Sequence, residues 1–163
     1  MKRVYVIRHA KSSWADLTQK DIDRPLNKRG MRDLPIMAEH CLDKGYTPEM
    51  IITSDAKRAH TTALGFKNKM GVEDSRFIVD PNLYLAPEST YIQVCRSLHD
   101  DVDSVMLFGH NPGITYLANT IPNTMIDNVP TCGVLVVDVE IDSWKDLSLE
   151  KGKLIEFLYP KGI

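Results

Sequence analysis

Three cysteines in 163 residues, Cys41, Cys95 and Cys132, are too few and too scattered for a disulfide framework. No C-x-x-C pair is present to build a zinc ribbon. They read as small buried or half-buried thiols in a reducing compartment. Long apolar runs are missing too. The stretch behind the N-terminus, Val4-Tyr5-Val6-Ile7, is shorter than a signal-peptide core. No later stretch approaches the ~20 apolar residues of a membrane helix. The expectation is a soluble, cytoplasmic protein with no membrane partner. A basic surplus is also absent: 20 Lys and Arg face 22 Asp and Glu, for a net charge of -2. That balance argues against a nucleic-acid partner. The chain carries no repeat, low-complexity segment or linker-like stretch.

What is present suits one domain. Hydrophobic residues make up 43% of the chain, and its length can bury a core without disulfide or metal staples. Short β-branched runs alternate with longer helix-compatible segments, which is the pattern of an α/β fold. Strands are expected over Val4–Ile7, Met50–Thr53, Phe77–Val79, Val105–Phe108, Gly133–Glu140 and Leu154–Leu158. The first and fourth are continuous apolar runs, as in strands covered on both faces. Asn27 can cap a helix running toward Asp43, with Pro35 either kinking it or marking its start. Ser54 or Asp55 can cap a second, through Lys69, stopped by Gly71. Pro87 and Glu88 open a third, through Leu98, and Gly113–Ile121 makes a short fourth ended by Pro122. The last two strands, joined by a short link containing Trp144, form an antiparallel pair near an edge. The fold class is therefore a mostly parallel central sheet with helices on both faces and an antiparallel edge.

Open α/β sheets bind ligands beyond the carboxyl ends of their strands. Three strands end in reactive residues. The first runs into Arg8-His9-Ala10-Lys11-Ser12, the second through Ser54-Asp55-Ala56-Lys57 to Arg58, and the fourth into Gly109-His110-Asn111-Pro112. Taken singly, each has an ordinary explanation: Gly-His-Asn-Pro is a turn, and Arg58 a solvated helix residue. Together they bring two histidines and two arginines to one pocket. That set suits phosphoryl transfer, where catalysis is mostly positioning and charge stabilisation. Arg8 and Arg58 can each offer a bidentate fork to phosphoryl oxygens. His110, if protonated, adds a third cationic donor. His9 can attack through one ring nitrogen while the other donates its proton to a backbone carbonyl.

These residues resemble the histidine phosphatase superfamily, the phosphoglycerate-mutase-like proteins. Arg8-His9-Ala10-Lys11-Ser12-Ser13-Trp14 is similar to the opening R-H-(G/A)-x-S-x-W. Thr53-Ser54 with Arg58-Ala59-x-x-Thr62-Ala63 is similar to (T/S)-S…R-A-x-x-T-A. Val105–Pro112 resembles the strand carrying the second histidine, and Arg24-Pro25-Leu26-Asn27-x-x-Gly30 resembles R-P-L-(T/N)-x-x-G. Within the superfamily, the short chain and R-H-A-K-S most resemble the small bacterial phosphohistidine phosphatases. The resemblance implies a three-layer sandwich and a single catalytic domain over residues 1–163. It also implies His9 as phosphoryl acceptor, with Arg8, Arg58 and His110 around the phosphate, and no metal or organic cofactor. The partner is then a phosphorylated protein or a small phosphorylated substrate.

One departure stands out. Many relatives place a proton-donating glutamate just after the third strand, where this chain has Asn82, and an asparagine cannot act as a carboxylic acid. Asp80, Tyr84, Glu88, Asp16 or Asp23 could substitute. A phosphohistidine substrate suffers least, because imidazole leaves more easily than an alkoxide. No lid domain fits between Ala63 and Phe77, so the site should be open enough for a protein side chain. Ser12, Arg24 and Asn111 complete the candidate substrate-binding set. Ser12 reads equally as a turn or cap residue, Arg24 as the partner of Asp23, and Asn111 as the residue orienting the His110 turn. Lys11 and Lys57 read as a solvated positive rim. Trp14 reads as part of the pocket mouth and Trp144 as structural. His40, His60 and His99 lack metal-ligand spacing. Two rivals are a general phosphomonoesterase or mutase with the same chemistry, and a non-catalytic phosphate-recognition module.

Overall fold

Strand β1 (Lys2–Arg8) carries apolar side chains on both faces, so it needs cover on both. The computed structural model, which describes residues 1–163, supplies it. Chain order continues with α1 (Lys28–Asp43), β2 (Met50–Thr53), α2 (Lys57–Met70), β3 (Phe77–Val79), α3 (Glu88–Arg96), β4 (Ser104–Gly109), α4 (Gly113–Ala118), β5 (Val134–Val139) and β6 (Gly152–Leu158). The six strands form one sheet in the order β3-β2-β4-β1-β5-β6. β3, β2, β4 and β1 run parallel; β5 is antiparallel to β1, and β6 to β5. This is the mixed α/β sheet the sequence led us to expect, with its antiparallel edge.

Period-two alternation sorts the core into two halves. Val4 and Val6 of β1, Val105 and Leu107 of β4, and Leu135 and Val137 of β5 face α3, α4 and the Trp144 link. Tyr5 and Ile7, Met106 and Phe108, and Val134 and Val136 face α1 and α2. Trp144 is fully buried, with its indole N–H donating to the Val102 carbonyl at 2.7 Å, so its structural reading holds.

Helix α1 begins where the sequence placed it, with the Asn27 side chain accepting from the Gly30 N–H at 2.9 Å. Pro35 lies inside that helix, not at its start. Neither Ser54 nor Asp55 caps α2: its N-cap is Ala56, without a side-chain cap bond. Gly71, at φ 69°, closes α2 in the left-handed conformation.

The segment after β1 folds back on the start of α1. Ser13 N–H donates to the Pro25 carbonyl (2.8 Å) and Asn27 N–H to the Lys11 carbonyl (3.0 Å). Gly30 packs so closely that a Cβ there would collide with the Lys11 carbonyl. Gly30→Ala should therefore push this segment away from α1, at an overpacking cost of about 1–3 kcal/mol. Thermal melting should fall by several degrees and activity should drop with it, because Lys11 stands two residues from His9. An unchanged melting point would contradict this close approach.

Candidate active site

Parallel pairing of β1 with β4 sets Arg8 opposite Gly109, so the residues just beyond, His9 and His110, emerge side by side. Their rings lie 5.3 Å apart. Ser54 joins them from the end of β2, its N–H donating to the Phe108 carbonyl at 3.0 Å. This is the crevice between strands whose connections depart to opposite faces, where α/β sheets place ligands.

His9 is buried, and its Nδ1 lies 2.7 Å from the Ala10 carbonyl. A carbonyl only accepts, so Nδ1 carries the proton and Nε2 presents its lone pair. Burial pushes the His9 imidazole down to about 3. The Ala10 carbonyl opposes that shift, and the charges of Arg58, Arg8 and Arg24 reinforce it. At neutral pH His9 is an uncharged ring with a free nucleophilic nitrogen.

His110 does not meet the condition for acting as a cation. Burial lowers it to about 3, assisted by His9 and by the charges of Arg58 and Arg8. It stands neutral and is not a third cation. Its Nε2 is 2.8 Å from Ser54 Oγ, and its backbone N–H donates to the Tyr91 hydroxyl at 3.1 Å. Its Nδ1 is buried with no hydrogen-bond partner.

The arginines have unequal freedom. Arg8 donates from Nη1 to the Val129 carbonyl at 2.9 Å, while its Nε is buried without a partner. Arg58, only 3% exposed, donates from Nη1 to the Asp21 carbonyl (2.7 Å) and from Nη2 to the Asp21 carboxylate (2.9 Å). One N–H on each of those nitrogens is thus engaged by the protein itself. Arg24 also pairs with Asp21 (2.9 Å), not with Asp23, and donates to Ser12 Oγ and to the Ser13 carbonyl. Its guanidinium lies 3.4 Å from the centre of the exposed Trp14 ring.

Asp21 is the residue the sequence reading missed. It accepts from Arg58, Arg24 and the Tyr84 hydroxyl. Burial alone would raise its carboxyl, but those three donors hold it well below the usual carboxylate range. The available signal was its position three residues before Arg24, shared with nothing to rank it above Asp16 and Asp23. Of the substitutes considered for the absent glutamate, Tyr84 reaches the cluster, with its ring edge-on to His110 at 5.5 Å. Asp16 bonds within its own turn to Thr18, and Asp80 caps the turn at Pro81–Leu83. Asn82 is exposed and lines a groove of about 570 Å³ with Met50, Ile78 and Val94, outside the arginine–histidine cluster.

Ser12 is buried and braces Arg24. Asn111 donates to Asn128 Oδ1 and the Val129 carbonyl, and accepts from Thr115. Its amide is therefore committed within the protein, where it ties the His110 turn to the carbonyl that also receives Arg8.

Two buried nitrogens without partners, Arg8 Nε and His110 Nδ1, lie in the same cluster as a bare imidazole nitrogen of His9. Leaving a buried donor unsatisfied costs about 1–3 kcal/mol, which an anionic ligand would recover. The arrangement can receive an oxyanion beside a histidine whose Nε2 lone pair is unengaged. Residues 4–84, from β1 to Tyr84, match the histidine phosphatase superfamily (branch 1). A solved SixA of Agrobacterium tumefaciens, named as a candidate phosphohistidine phosphatase, is 29% identical, with a TM-score of 0.82 over 98% of this chain and 99% of that one. An uncharacterised chloroplastic protein of Arabidopsis thaliana is 28% identical over 153 residues, 89% of this chain and 70% of the relative. A protein histidine phosphatase SixA solved with tungstate shares the fold, at 20% identity and a TM-score of 0.82 over 98% of each chain. The chain belongs to the histidine phosphatase superfamily.

A pH dependence follows from the two imidazoles. Both sit near 3 in the folded protein against 6.5 for an unperturbed histidine. As pH falls below 6.5 the unfolded chain takes up protons that these rings refuse. Their contribution to stability is complete above 6.5 and is lost as pH falls toward 3. Ring NMR signals of His9 and His110 should not titrate through 6.5 in the free protein, and the denaturant midpoint should decline below it. Titration of either ring near 6.5 would contradict this.

Proposed function

We propose that the protein is a phosphatase that removes phosphate from phosphohistidine on another protein, through a covalent phosphohistidine on His9. The observation that carries this reading is the neutral, tautomer-fixed His9 with bare Nε2 beside Arg8 and Arg58. In the first step the substrate's P–N bond breaks as a P–N bond forms to His9 Nε2. Arg8, Arg58 and His110 stabilise the charge on the three equatorial oxygens. The departing imidazole nitrogen takes its proton from the Tyr84 hydroxyl, which stands beside the cluster hydrogen-bonded to Asp21. Water then attacks the phosphorus and the P–N bond to His9 breaks; one water proton returns to Tyr84, the other leaves with the phosphate, and His9 is restored as the neutral ring.

Several features support a protein substrate. The connection from α2 to β3 is short and carries no lid, and Trp14 and Leu17 are exposed on the segment following His9. The similarity to SixA of A. tumefaciens spans nearly the whole of both chains. We read residues 1–163 as one catalytic domain. No helix is long and apolar enough to cross a membrane, and the three cysteines are free and buried. Both facts suit the cytoplasm as the working compartment.

The test uses a phosphohistidine-bearing protein and p-nitrophenyl phosphate, each with and without EDTA. Phosphate should leave the phosphoprotein faster than the ester is hydrolysed, and EDTA should change neither rate. Turnover of the ester alone, or loss of activity with EDTA, would overturn the proposal. Tight phosphate binding with no release would point to a recognition module instead.

A further inference from the structure

Ser54 is absorbed neither by the helix-capping role its sequence position suggested nor by the reaction scheme above. It is fully buried at the end of β2, and three contacts fix it. Its N–H donates to the Phe108 carbonyl (3.0 Å), its carbonyl accepts from Thr53 Oγ1 (3.0 Å), and its Oγ accepts from the Ala56 N–H (3.2 Å). The remaining contact of Oγ is with His110 Nε2 at 2.8 Å.

We propose that Ser54 is a positioning residue that sets the tautomer of His110, so that an uncharged imidazole donates its Nδ1–H to the transferring phosphoryl group. The inference rests on the functional reading above and deepens it.

Both nitrogens of the His110 ring place the proton on Nδ1, beginning with the hydrogen bonds of Ser54. A hydroxyl has one donor and two acceptor positions. If His110 carried its proton on Nε2, Oγ would accept from both Nε2–H and Ala56 N–H. The buried Ser54 hydroxyl proton would then have no acceptor, an arrangement folded proteins avoid. With the proton on Nδ1, the hydroxyl donates to Nε2 and accepts from Ala56, and every group is satisfied. The other nitrogen agrees. His110 Nδ1 is buried and unpartnered, and its ring lies beside His9 and Tyr84. A lone pair there would repel phosphoryl oxygens, whereas an N–H would bind them. The same choice of tautomer satisfies both ends of the ring.

The consequence is specific. Burial among arginines keeps His110 from taking a second proton, so its only way to donate at Nδ1 is as the correct neutral tautomer. Ser54 supplies that selection without touching substrate. In metal sites, where a working histidine is likewise held through its other nitrogen, losing that partner costs on the order of 10–100-fold.

The experiment combines ¹⁵N-histidine NMR of the wild-type protein with kinetics on p-nitrophenyl phosphate for Ser54→Ala, Ser54→Thr and His9→Ala. Wild-type His110 should show a protonated Nδ1 and an unprotonated Nε2. Ser54→Ala should shift His110 toward the other tautomer and lower kcat about 10–100-fold, and Ser54→Thr, which keeps the hydroxyl, should recover much of the loss. A wild-type His110 protonated on Nε2, or full kcat in Ser54→Ala, would overturn the proposal. If Ser54→Ala fails to fold, the wild-type spectrum still decides. His9→Ala separates the two claims. Activity in that variant sinks the nucleophile reading, whereas an inactive His9→Ala beside a fully active Ser54→Ala sinks the tautomer claim alone.

Discussion

His9→Ala is expected to lower phosphate release by at least about 10³-fold, the scale on which loss of a covalent nucleophile is felt. No second group in the cluster combines a neutral ring with a free lone pair: in His110, Nε2 is engaged by Ser54 and Nδ1 carries the proton in the tautomer proposed above. The fold should survive. His9 gives up one hydrogen bond to the Ala10 carbonyl, while the Ala10 N–H keeps its bond to Thr62 Oγ1 at 3.0 Å. Circular dichroism and thermal melting should stay close to wild type. Inorganic phosphate or tungstate should still bind, because Arg8 and Arg58 remain. Steady-state turnover and oxyanion titration together check this, and appreciable turnover in a folded variant would refute the nucleophile.

The second large effect is expected at Arg58. Arg58→Ala should lower kcat by roughly 10²–10³-fold, as for removal of a preorganised charge-stabilising donor. It should also raise KM, for a reason the structure makes visible. The guanidinium moors the turn at Asp21–Asp23 through the Asp21 carbonyl and carboxylate. Without it, Asp21 keeps Arg24 and the Tyr84 hydroxyl but sits as a less compensated negative charge beside the site. Arg58→Lys restores a charge without the planar fork. It should recover binding more than rate, because one ammonium cannot hold Asp21 at two points. Steady-state kinetics of the two variants, with melting curves to exclude unfolding, separate these effects. A kcat within a factor of about three of wild type in Arg58→Ala would contradict the role given to it.

The sheet was legible because its signal is local. β2 and β3 have the bounds read from the sequence, and the others differ by one or two residues, since an apolar run marks a doubly covered strand. The convergence of His9, His110 and Arg58 followed from strand-end position alone once the strands were taken as parallel. What stayed hidden depended on distant partners. Ser54 looked like a cap because a serine before a helix usually is one, yet its hydroxyl is claimed by His110, 56 residues away. Asp21 sits in a short turn with no apolar periodicity, and its partners Arg58 and Tyr84 lie 37 and 63 residues downstream. Nothing local distinguishes it from Asp16 or Asp23. The charge of His110 was left open for a related reason. Burial decides it, and burial is set by the whole packed crevice.

The central claim is that His9 carries the phosphoryl group, and trapping that intermediate tests it most directly. The protein would be mixed with a radiolabelled phosphohistidine-bearing protein, quenched in alkali to preserve phosphohistidine, and mapped by mass spectrometry. The account predicts transient label on His9 at Nε2, labile to acid, and absent from His9→Ala. Phosphate release without any label on the protein, or label on another residue, would contradict it.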